Sequence, residues 1–238
     1  MFTKPPPGVQ INRLHPLASG LVGCWLFNEG SGLKVNDLSG NNNHGTLTNF
    51  EPFSSTSGWS GSSRGTTLQF DGTDDLVDCG NNESLNIVKS ITIESLIFLK
   101  GFGETGFGRI IDKQHATSNS YSLLVISGNA TIGFVSGASS ATSLAGSMTL
   151  NKLIHSVISY NGSDVKFYID GILNRTVNFT TNPPSSTNKF YIGNNLATSA
   201  SFNGFIYKIS IWNHSLSEIE IKKLYINPYS MFGLSNIR

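Results

Sequence analysis

The most restrictive feature of this sequence is a pair of glycine turns that separate three short apolar runs within residues 153–177. The runs alternate polar and apolar residues and are rich in β-branched side chains, which is typical of half-buried strands. Asn161-Gly162 separates the first two runs, and Asp170-Gly171 separates the second from the third. Both dipeptides favour tight hairpin turns, in which the backbone needs positive φ. The segment therefore predicts a meander of three antiparallel strands.

Short apolar runs of the same kind recur along the chain, and one helix pattern lies near its end. The other runs lie at residues 21–28, 67–70, 76–79, 91–99, 109–112, 121–126, 131–135, 189–193 and 204–212. Ser217 and Glu220 have the spacing of a capping box, and Pro228 would end the helix that follows. Residues 29–65 are rich in Gly, Ser and Asn, and we expect mostly loop there. Because the connections are too short and polar for crossover helices, the pattern predicts an all-β sandwich.

Composition supports one folded domain and argues against two classes of partner. Of the 238 residues, 38% are hydrophobic and 11% aromatic, which is enough to pack a core. The net charge is +1 and no basic stripe occurs, so we expect no nucleic-acid partner. No apolar run approaches the ~20 residues that span a bilayer, so we expect no membrane insertion. Cys24 and Cys79 lack metal or redox spacing, so buried free thiols are expected and a disulfide stays open.

The two ends of the chain differ in character from its middle. We assign residues 1–19 to an extended N-terminal arm, 20–226 to the globular domain and 227–238 to a C-terminal tail. Residues 1–8 include three prolines and no apolar segment of the kind that secretory signals have, so we expect no signal peptide. The prolines disfavour helix and central strand. Such an arm either lies on a neighbouring subunit or is a loose terminus, and the sequence leaves both open.

Four segments, taken in order, resemble a known family. They read CWLFNEGSG at 24–32, DLSGNNNHG at 37–45, LQFDGTDDLV at 68–77, and FNGFI with WNHSLS within 202–217. With these segments the chain resembles the laminin-G-like jelly rolls of the concanavalin A-like lectin/glucanase superfamily. The resemblance implies a two-sheet antiparallel jelly-roll sandwich with one short C-terminal helix.

A narrower resemblance concerns the segments that flank the domain. HPLASG at 15–20 and YINPYSMF at 225–232 are similar to laminin-G-like proteins encoded in structural regions of tailed phages and prophages. This similarity implies a virion protein that is made and assembled in the host cytoplasm. It implies other virion proteins, of the capsid or the tail, as partners, with self-association as a further expectation.

The family resemblance also implies calcium as a candidate cofactor. Members of the family often hold Ca²⁺ at the rim of the sandwich through loop carbonyls and carboxylates. Asp37, Asn41 and Asn43 offer side-chain oxygens toward the about six to eight ligands that calcium takes. The family often supplies a further Asp in the last long strand, where this chain has Tyr207, so one negative charge is missing. The alternative is an Asx turn at Asp37 that needs no ion.

Glycan binding is the next expectation. Carbohydrate sites combine an aromatic face, which stacks on sugar C–H groups, with polar groups that bind the hydroxyls. Trp59, within a polar segment, is the best candidate for such a ring, and Tyr207 is a second one. For each ring, ordinary packing at the edge of the sandwich is the alternative. Trp25 and Trp212 lie in apolar runs and are expected in the core.

The acidic residues argue against glycan hydrolysis. The related glucanases carry paired acids on one strand, so that two carboxylates face one cleft. Here Glu94 is the single acid in its run, and Asp71, Asp74 and Asp75 cluster in a turn. The five histidines are scattered and form no i, i+4 pair of the kind that binds zinc. We therefore expect no enzyme.

Together these arguments lead to a non-enzymatic virion structural or decoration protein with a lectin-like jelly roll. We expect it to be exposed on a phage particle, with adhesion to cell-surface glycans as its further role. The alternative is a free carbohydrate-binding module that is not attached to a virion.

Overall fold

The computed structural model describes residues 3–50, 54–113 and 120–233, and strands dominate their regular structure. The strands are β1 (Gln10–Ile11), β2 (Leu21–Trp25), β3 (Lys34–Val35), β4 (Gly45–Thr48), β5 (Gly58–Ser62), β6 (Gly65–Asp71), β7 (Leu76–Asp78), β8 (Ile91–Gly101), β9 (Phe107–Asp112), β10 (Tyr121–Ile126), β11 (Thr131–Ser136), β12 (Ser139–Thr142), β13 (Leu153–Tyr160), β14 (Asp164–Ile169), β15 (Ile172–Asn178), β16 (Tyr191–Ile192), β17 (Asn203–Trp212) and β18 (Phe232–Gly233). The helix α1 spans Glu218–Ile226, and 3-10 turns lie at Pro16–Ala18, Glu83–Leu85 and Glu104–Gly106.

These strands form two antiparallel sheets of eight strands each and one small pair. The first sheet has the order β12-β11-β10-β9-β16-β7-β4-β3. The second sheet has the order β15-β14-β13-β8-β17-β6-β5, and β2 pairs with the later part of β17. The pair β1–β18 joins the N-terminal and C-terminal segments. This architecture confirms the predicted all-β sandwich with one short helix.

The predicted meander is present in the second sheet. Strand β14 pairs with β13 on one side and with β15 on the other, both antiparallel. Asp170 has φ +49° and Gly171 has φ +76°, so both central residues of that turn adopt the positive φ that the sequence predicted. Local turn chemistry thus determines this part of the sheet.

The main core lies between the two sheets. Alternate residues of β8, Ile91, Ile93, Ile97 and Leu99, are fully buried in it. Because side chains alternate across a strand, the residues between them face the outer side of the second sheet. That outer side therefore carries Glu94, and its burial needs another cover.

A second apolar cluster provides this cover. Ile221 and Leu224 of α1 pack with Trp212, Leu17 and Met231 on the outer side of the second sheet. Ser217 caps α1 by accepting a hydrogen bond from the Glu220 amide, while Glu220 accepts from the Ser217 amide, as the capping-box spacing predicted. The helix and both terminal segments therefore form one layer over this sheet.

The N-terminal arm packs on its own domain, which is neither of the two arrangements left open by the sequence. Lys4 is buried, and its Nζ donates hydrogen bonds to the carbonyl oxygens of Leu26 and Phe27. Further along, the Asn12 amide donates to the Met231 carbonyl at 2.8 Å. The arm is therefore held by buried polar contacts in addition to the β1–β18 pair.

One detail of the sequence interpretation changes. The described part of residues 29–65 is mostly loop, as expected, but it also contains the short strands β3, β4 and β5, and Trp59 lies within β5. These strands are short and poor in apolar alternation, so their pairing with β7 and β6 sets their conformation. Cys24 and Cys79 are buried free thiols, as expected. Among the described residues, no helix is long and apolar enough to cross a membrane.

Candidate functional site

Asp37 is the centre of a hydrogen-bonded loop between β3 and β4. The residue is only 5% exposed. Its Oδ1 accepts from the amides of Cys24 at 2.9 Å and Ser39 at 2.8 Å. Its Oδ2 accepts from the Ser39 hydroxyl at 2.7 Å and the Asn43 amide at 2.9 Å. The Ser39 amide bond to Oδ1 is an Asx turn, so this alternative arrangement is present.

The structure brings the three predicted calcium ligands into one hydrogen-bonded loop, in which the Asn43 amide donates to Asp37 and both asparagines bond one carbonyl group. Asn43 Nδ2 donates to the Val22 carbonyl at 2.8 Å, and Asn41 Nδ2 donates to the same carbonyl at 3.2 Å. All four hydrogen bonds to Asp37 come from N–H or O–H donors, which a cation would have to displace. In this conformation the donor set does not fit Ca²⁺, which needs free oxygen lone pairs. Calcium at this loop stays a prediction of the family resemblance.

Two adjoining cavities lie beside this loop and share Asn42 and His44. The first, of about 430 Å³, lies between the N-terminal arm and the loop. The second, of about 630 Å³, lies along β4 and β7 of the first sheet. We call the two together the polar groove; its main lining side chains are Glu29, Asn36, Asn42, His44, Thr46 and Asp78.

Glu29 has a buried, unpartnered carboxylate oxygen beside this groove. Its Oε1 accepts from the amide and the side chain of Asn36, at 2.8 and 3.1 Å. Its buried Oε2 has no hydrogen-bond partner among the described residues. A buried acceptor without a partner costs free energy, and a bound hydroxyl would remove that cost. The sequence interpretation did not include Glu29, although Glu29 directly precedes the glycine-rich loop.

The two predicted glycan-contacting rings do not share a surface. Trp59 packs against the main core, and its Nε1 donates to the Gly32 carbonyl at 2.8 Å. Tyr207 is only 6% exposed, and the Lys4 ammonium lies 5.3 Å from the centre of its ring. The arm thus covers Tyr207. Neither residue lines the polar groove.

Among the described residues, one group of acids could hold a metal ion. The carboxylate oxygens of Asp71, Asp74 and Asp75 lie within 4.8 Å of one another. Burial, with a smaller effect of the two neighbouring carboxylates, raises the pKa of Asp75 to about 7. Asp75 accepts from the Ser57 hydroxyl and the Asp71 amide, both at 2.9 Å. These hydrogen bonds account for its burial within the turn.

Glu94 belongs to a buried charged cluster that the sequence interpretation missed. Its Oε2 lies 2.8 Å from Lys208 Nζ, and its Oε1 lies 3.0 Å from His155 Nε2. Glu94 and Lys208 are 0% exposed and His155 is 3% exposed. Burial alone raises the pKa of Glu94, but the charge of Lys208 and the contact with His155 outweigh it and hold the pKa at about 2.

The position of this cluster follows from strand register. Glu94 lies opposite Ser210 of β17, and Lys208 lies opposite Leu96 of β8. Glu94 and Lys208 are therefore diagonal neighbours on the outer side of the second sheet. His155 of β13 also lies opposite Leu96 and completes the cluster from the other side.

Comparison with known proteins gives a family match. A laminin-G family profile described as "Concanavalin A-like lectin/glucanases superfamily" matches residues 71–222. No curated protein sequence matches the chain. Similar solved structures include domain 4 of AbnA, a GH43 extracellular arabinanase from Geobacillus stearothermophilus, in complex with arabinotriose. That match has a TM-score of 0.66 and 15% identity, and covers 86% of this chain and 98% of that domain.

Other similar structures are parts of toxins and enzymes. The binding domain of Paraclostridial Mosquitocidal Protein 1 has a TM-score of 0.68 and 14% identity, with 90% of this chain and 53% of that one covered. Trypanosoma rangeli sialidase in complex with sialic acid has a TM-score of 0.61 and 16% identity, with 90% and 34% covered. This chain thus spans about half of the first protein and a third of the second. At these identities the shared property is the fold.

Proposed function

The chain belongs to the concanavalin A-like lectin/glucanase superfamily, and from this membership we propose that it is a non-catalytic carbohydrate-binding module. We place the glycan in the polar groove. We further propose that the module is displayed on a phage particle and adheres to cell-surface glycans, with other virion proteins as its partners. A free binding module without virion attachment is the alternative.

The free Oε2 of Glu29 is the observation that carries the glycan proposal. A sugar presents many hydroxyl groups, and recognition needs hydrogen-bonding side chains that are not already paired within the protein. In the same groove Thr46 and Asp78 lie opposite each other on neighbouring strands, but Asp78 already pairs with Lys189 at 2.7 Å. The exposed Thr46 hydroxyl would bind a hydroxyl farther along a glycan chain. The similar structures whose names include arabinotriose and sialic acid support this class of ligand by fold alone.

The charge state of Glu94 supports the non-catalytic proposal. Glycoside hydrolysis needs one carboxyl with a raised pKa as general acid and a second carboxylate across the cleft. Glu94 has the opposite property, because Lys208 and His155 hold its pKa at about 2. Release of reducing sugar from a panel of polysaccharides would contradict a non-catalytic role.

A glycan array with three variants tests the groove. Glu29→Gln keeps an oxygen for Asn36 but replaces the free acceptor with a donor, so we expect about a tenfold loss of affinity. Thr46→Val removes an exposed hydroxyl without changing shape and should weaken binding less. Glu218→Gln, an exposed acid on α1, is the matched control and should leave binding unchanged. Equal glycan binding by wild type and Glu29→Gln would contradict the proposed site.

The virion proposal rests on the two flanking segments that are similar to phage proteins. Leu17 of the first segment and Met231 of the second pack in the same apolar cluster. They thus form one structural layer, which a particle could use as its attachment surface. Electron microscopy of native particles tests this proposal. A repeated position on a capsid or tail would support it, and recovery of free protein alone would support the free module.

A further inference from the structure

A cavity of about 470 Å³ lies on the outer side of the second sheet, next to α1. Small-molecule sites commonly measure about 300–1,000 Å³, so the cavity is large enough for a sugar ring. Its walls include Tyr225 at the end of α1, with Pro228 and Tyr229 just after the helix. The polar groove adjoins the first sheet, so this cavity is a separate site.

His155, which lines the cavity, has an unused hydrogen-bonding atom. Its Nε2 is bound to Glu94, while its buried Nδ1 has no partner among the described residues. Glu94 is ionised and can only accept, so the Nε2–H must donate to it. Nδ1 then accepts when the ring is neutral and donates when it is protonated. A hydroxyl group is the ligand that satisfies either state, because it both donates and accepts.

Arg64 gives the cavity an unpaired positive charge. It lies in the turn between β5 and β6 and is half-buried. Within the described part of the chain, its guanidinium makes no hydrogen bond or ion pair. By contrast, Lys152 and Asp170, which also line the cavity, are paired at 3.0 Å. Glu94 and Lys208 likewise neutralise each other, so Arg64 is the charge that remains for a ligand.

The aromatic wall provides an apolar face. Tyr225 is 45% exposed, and its ring centre lies 5.7 Å from that of His155. A sugar ring can lay its C–H face on such a ring. An aromatic acid would use the same face but would leave Nδ1 of His155 without a partner, which costs free energy in a buried site.

We propose that this cavity is a second ligand site, which takes a uronic acid or a similar carboxylate-bearing sugar. The carboxylate pairs with Arg64, whose planar guanidinium matches it in a bidentate geometry. A ring hydroxyl bonds Nδ1 of His155, and the sugar face rests on Tyr225. The Lys152–Asp170 pair at the rim binds further hydroxyls. Because this site and the polar groove lie on different sheets, an experiment can disprove ligand binding at one of them without affecting the other.

An NMR titration of ¹⁵N-labelled protein with D-glucuronate tests the proposal. We expect binding near the millimolar range, with the Nδ1 resonance of His155 and the amides around Tyr225 shifting together. Arg64→Gln should weaken binding about tenfold, since it removes a charge-assisted pair. Arg175→Gln removes the same charge from exposed strand β15 and should leave binding unchanged. Shifts at His155 and Tyr225 on titration, as distinct from shifts at the amides of the polar groove, separate this site from the groove.

Three results would overturn the proposal. The first is an unmoved His155 Nδ1 resonance at about 20 mM glucuronate, well above a millimolar dissociation constant. The second is equal affinity of wild type and Arg64→Gln. The third is binding of D-glucose or benzoate as tight as that of glucuronate, since the first lacks the carboxylate and the second lacks the hydroxyls.

Discussion

Replacing Lys208 with methionine tests whether the buried charged cluster is held by its ion pair. Lys208 is 0% exposed, and its Nζ contacts only two oxygens among the described residues, Glu94 Oε2 at 2.8 Å and the Pro228 carbonyl at 2.6 Å. Methionine keeps the apolar stem and removes the charge. Glu94 then stays buried with His155 as its remaining polar contact. Breaking a buried pair in this way costs about 3–5 kcal/mol.

The pKa of Glu94 gives a second, independent magnitude for the stability that the ion pair contributes. It falls from 4.5 to about 2 in the folded protein, and Lys208 is the largest of the causes that lower it. At 1.36 kcal/mol per pH unit, this difference corresponds to about 3 kcal/mol of stability. A folded-state pKa below the unfolded value stabilises the protein above pH 4.5, and this stability is lost as the pH falls toward 2.

The variant should have the opposite pH dependence. Without Lys208, burial raises the pKa of Glu94 above 4.5, so the folded state takes up a proton on acidification. Lys208→Met should therefore lose about 3–5 kcal/mol at pH 7 and recover part of it near pH 5. Urea unfolding followed by tryptophan fluorescence at both pH values measures this change. In a chain of this size each kcal/mol also lowers Tm by about 2–4 °C.

A double variant provides the control. Glu94→Gln with Lys208→Met removes both charges and should be less destabilised at pH 7 than Lys208→Met alone, because no buried charge remains unpaired. The reasoning would be refuted if the free energy of unfolding of Lys208→Met at pH 7 were within about 1 kcal/mol of the wild-type value. A typical single hydrogen bond contributes about that much by itself. A double variant less stable than Lys208→Met would refute the reasoning equally.

Four further predictions concern other parts of the molecule. If calcium were bound at Asp37, EDTA would lower Tm; we expect no change, because both oxygens of Asp37 already accept two hydrogen bonds each. Because the pKa of Asp75 is raised to about 7 from 3.8, its contribution to stability should grow as the pH falls from 7 toward 4, and urea unfolding of Asp75→Asn should lack this gain. Burial raises the pKa of Cys24 to about 12 and that of Cys79 well above 9.0, so a thiol reagent at pH 8 should label them only after unfolding. Because Trp59 lies outside the polar groove, a folded Trp59→Ala protein should bind glycans on the array as the wild type does, and weaker binding would instead support stacking of a sugar on Trp59.

The sequence predicted best where structure is determined locally. The Asp170-Gly171 turn depends on two residues that tolerate positive φ, and the capping box depends on Ser217 and Glu220, three positions apart. The strand pattern predicted a sandwich, and the family motifs added its two-sheet jelly-roll form. In contrast, β3 and β5 were not predicted, because short strands of Gly, Ser and charged residues form only through pairing with strands distant in sequence.

The same distinction between local and long-range structure separates the candidate sites that were predicted from the one that was missed. Asp37, Asn41 and Asn43 were predicted to lie together, because they belong to one short loop. The cluster of Glu94, His155 and Lys208 was not predicted, because its members lie on three strands whose adjacency depends on the sheet order. One signal was present: Glu94 and Lys208 each interrupt a long apolar run, and a charged residue in a central strand needs a partner.

The terminal segments explain why this charged cluster can be buried at all. In an isolated sandwich, the outer side of the second sheet would expose Trp212 together with Glu94 and Lys208. Leu17 and Met231 cover this side in the structure, and Pro228 supplies a carbonyl to Lys208. These covering residues come from the segments before and after the predicted domain of residues 20–226. The packed unit of the described chain therefore includes both segments, and Pro228 and Tyr229 of the C-terminal one also form part of the wall of the cavity beside α1.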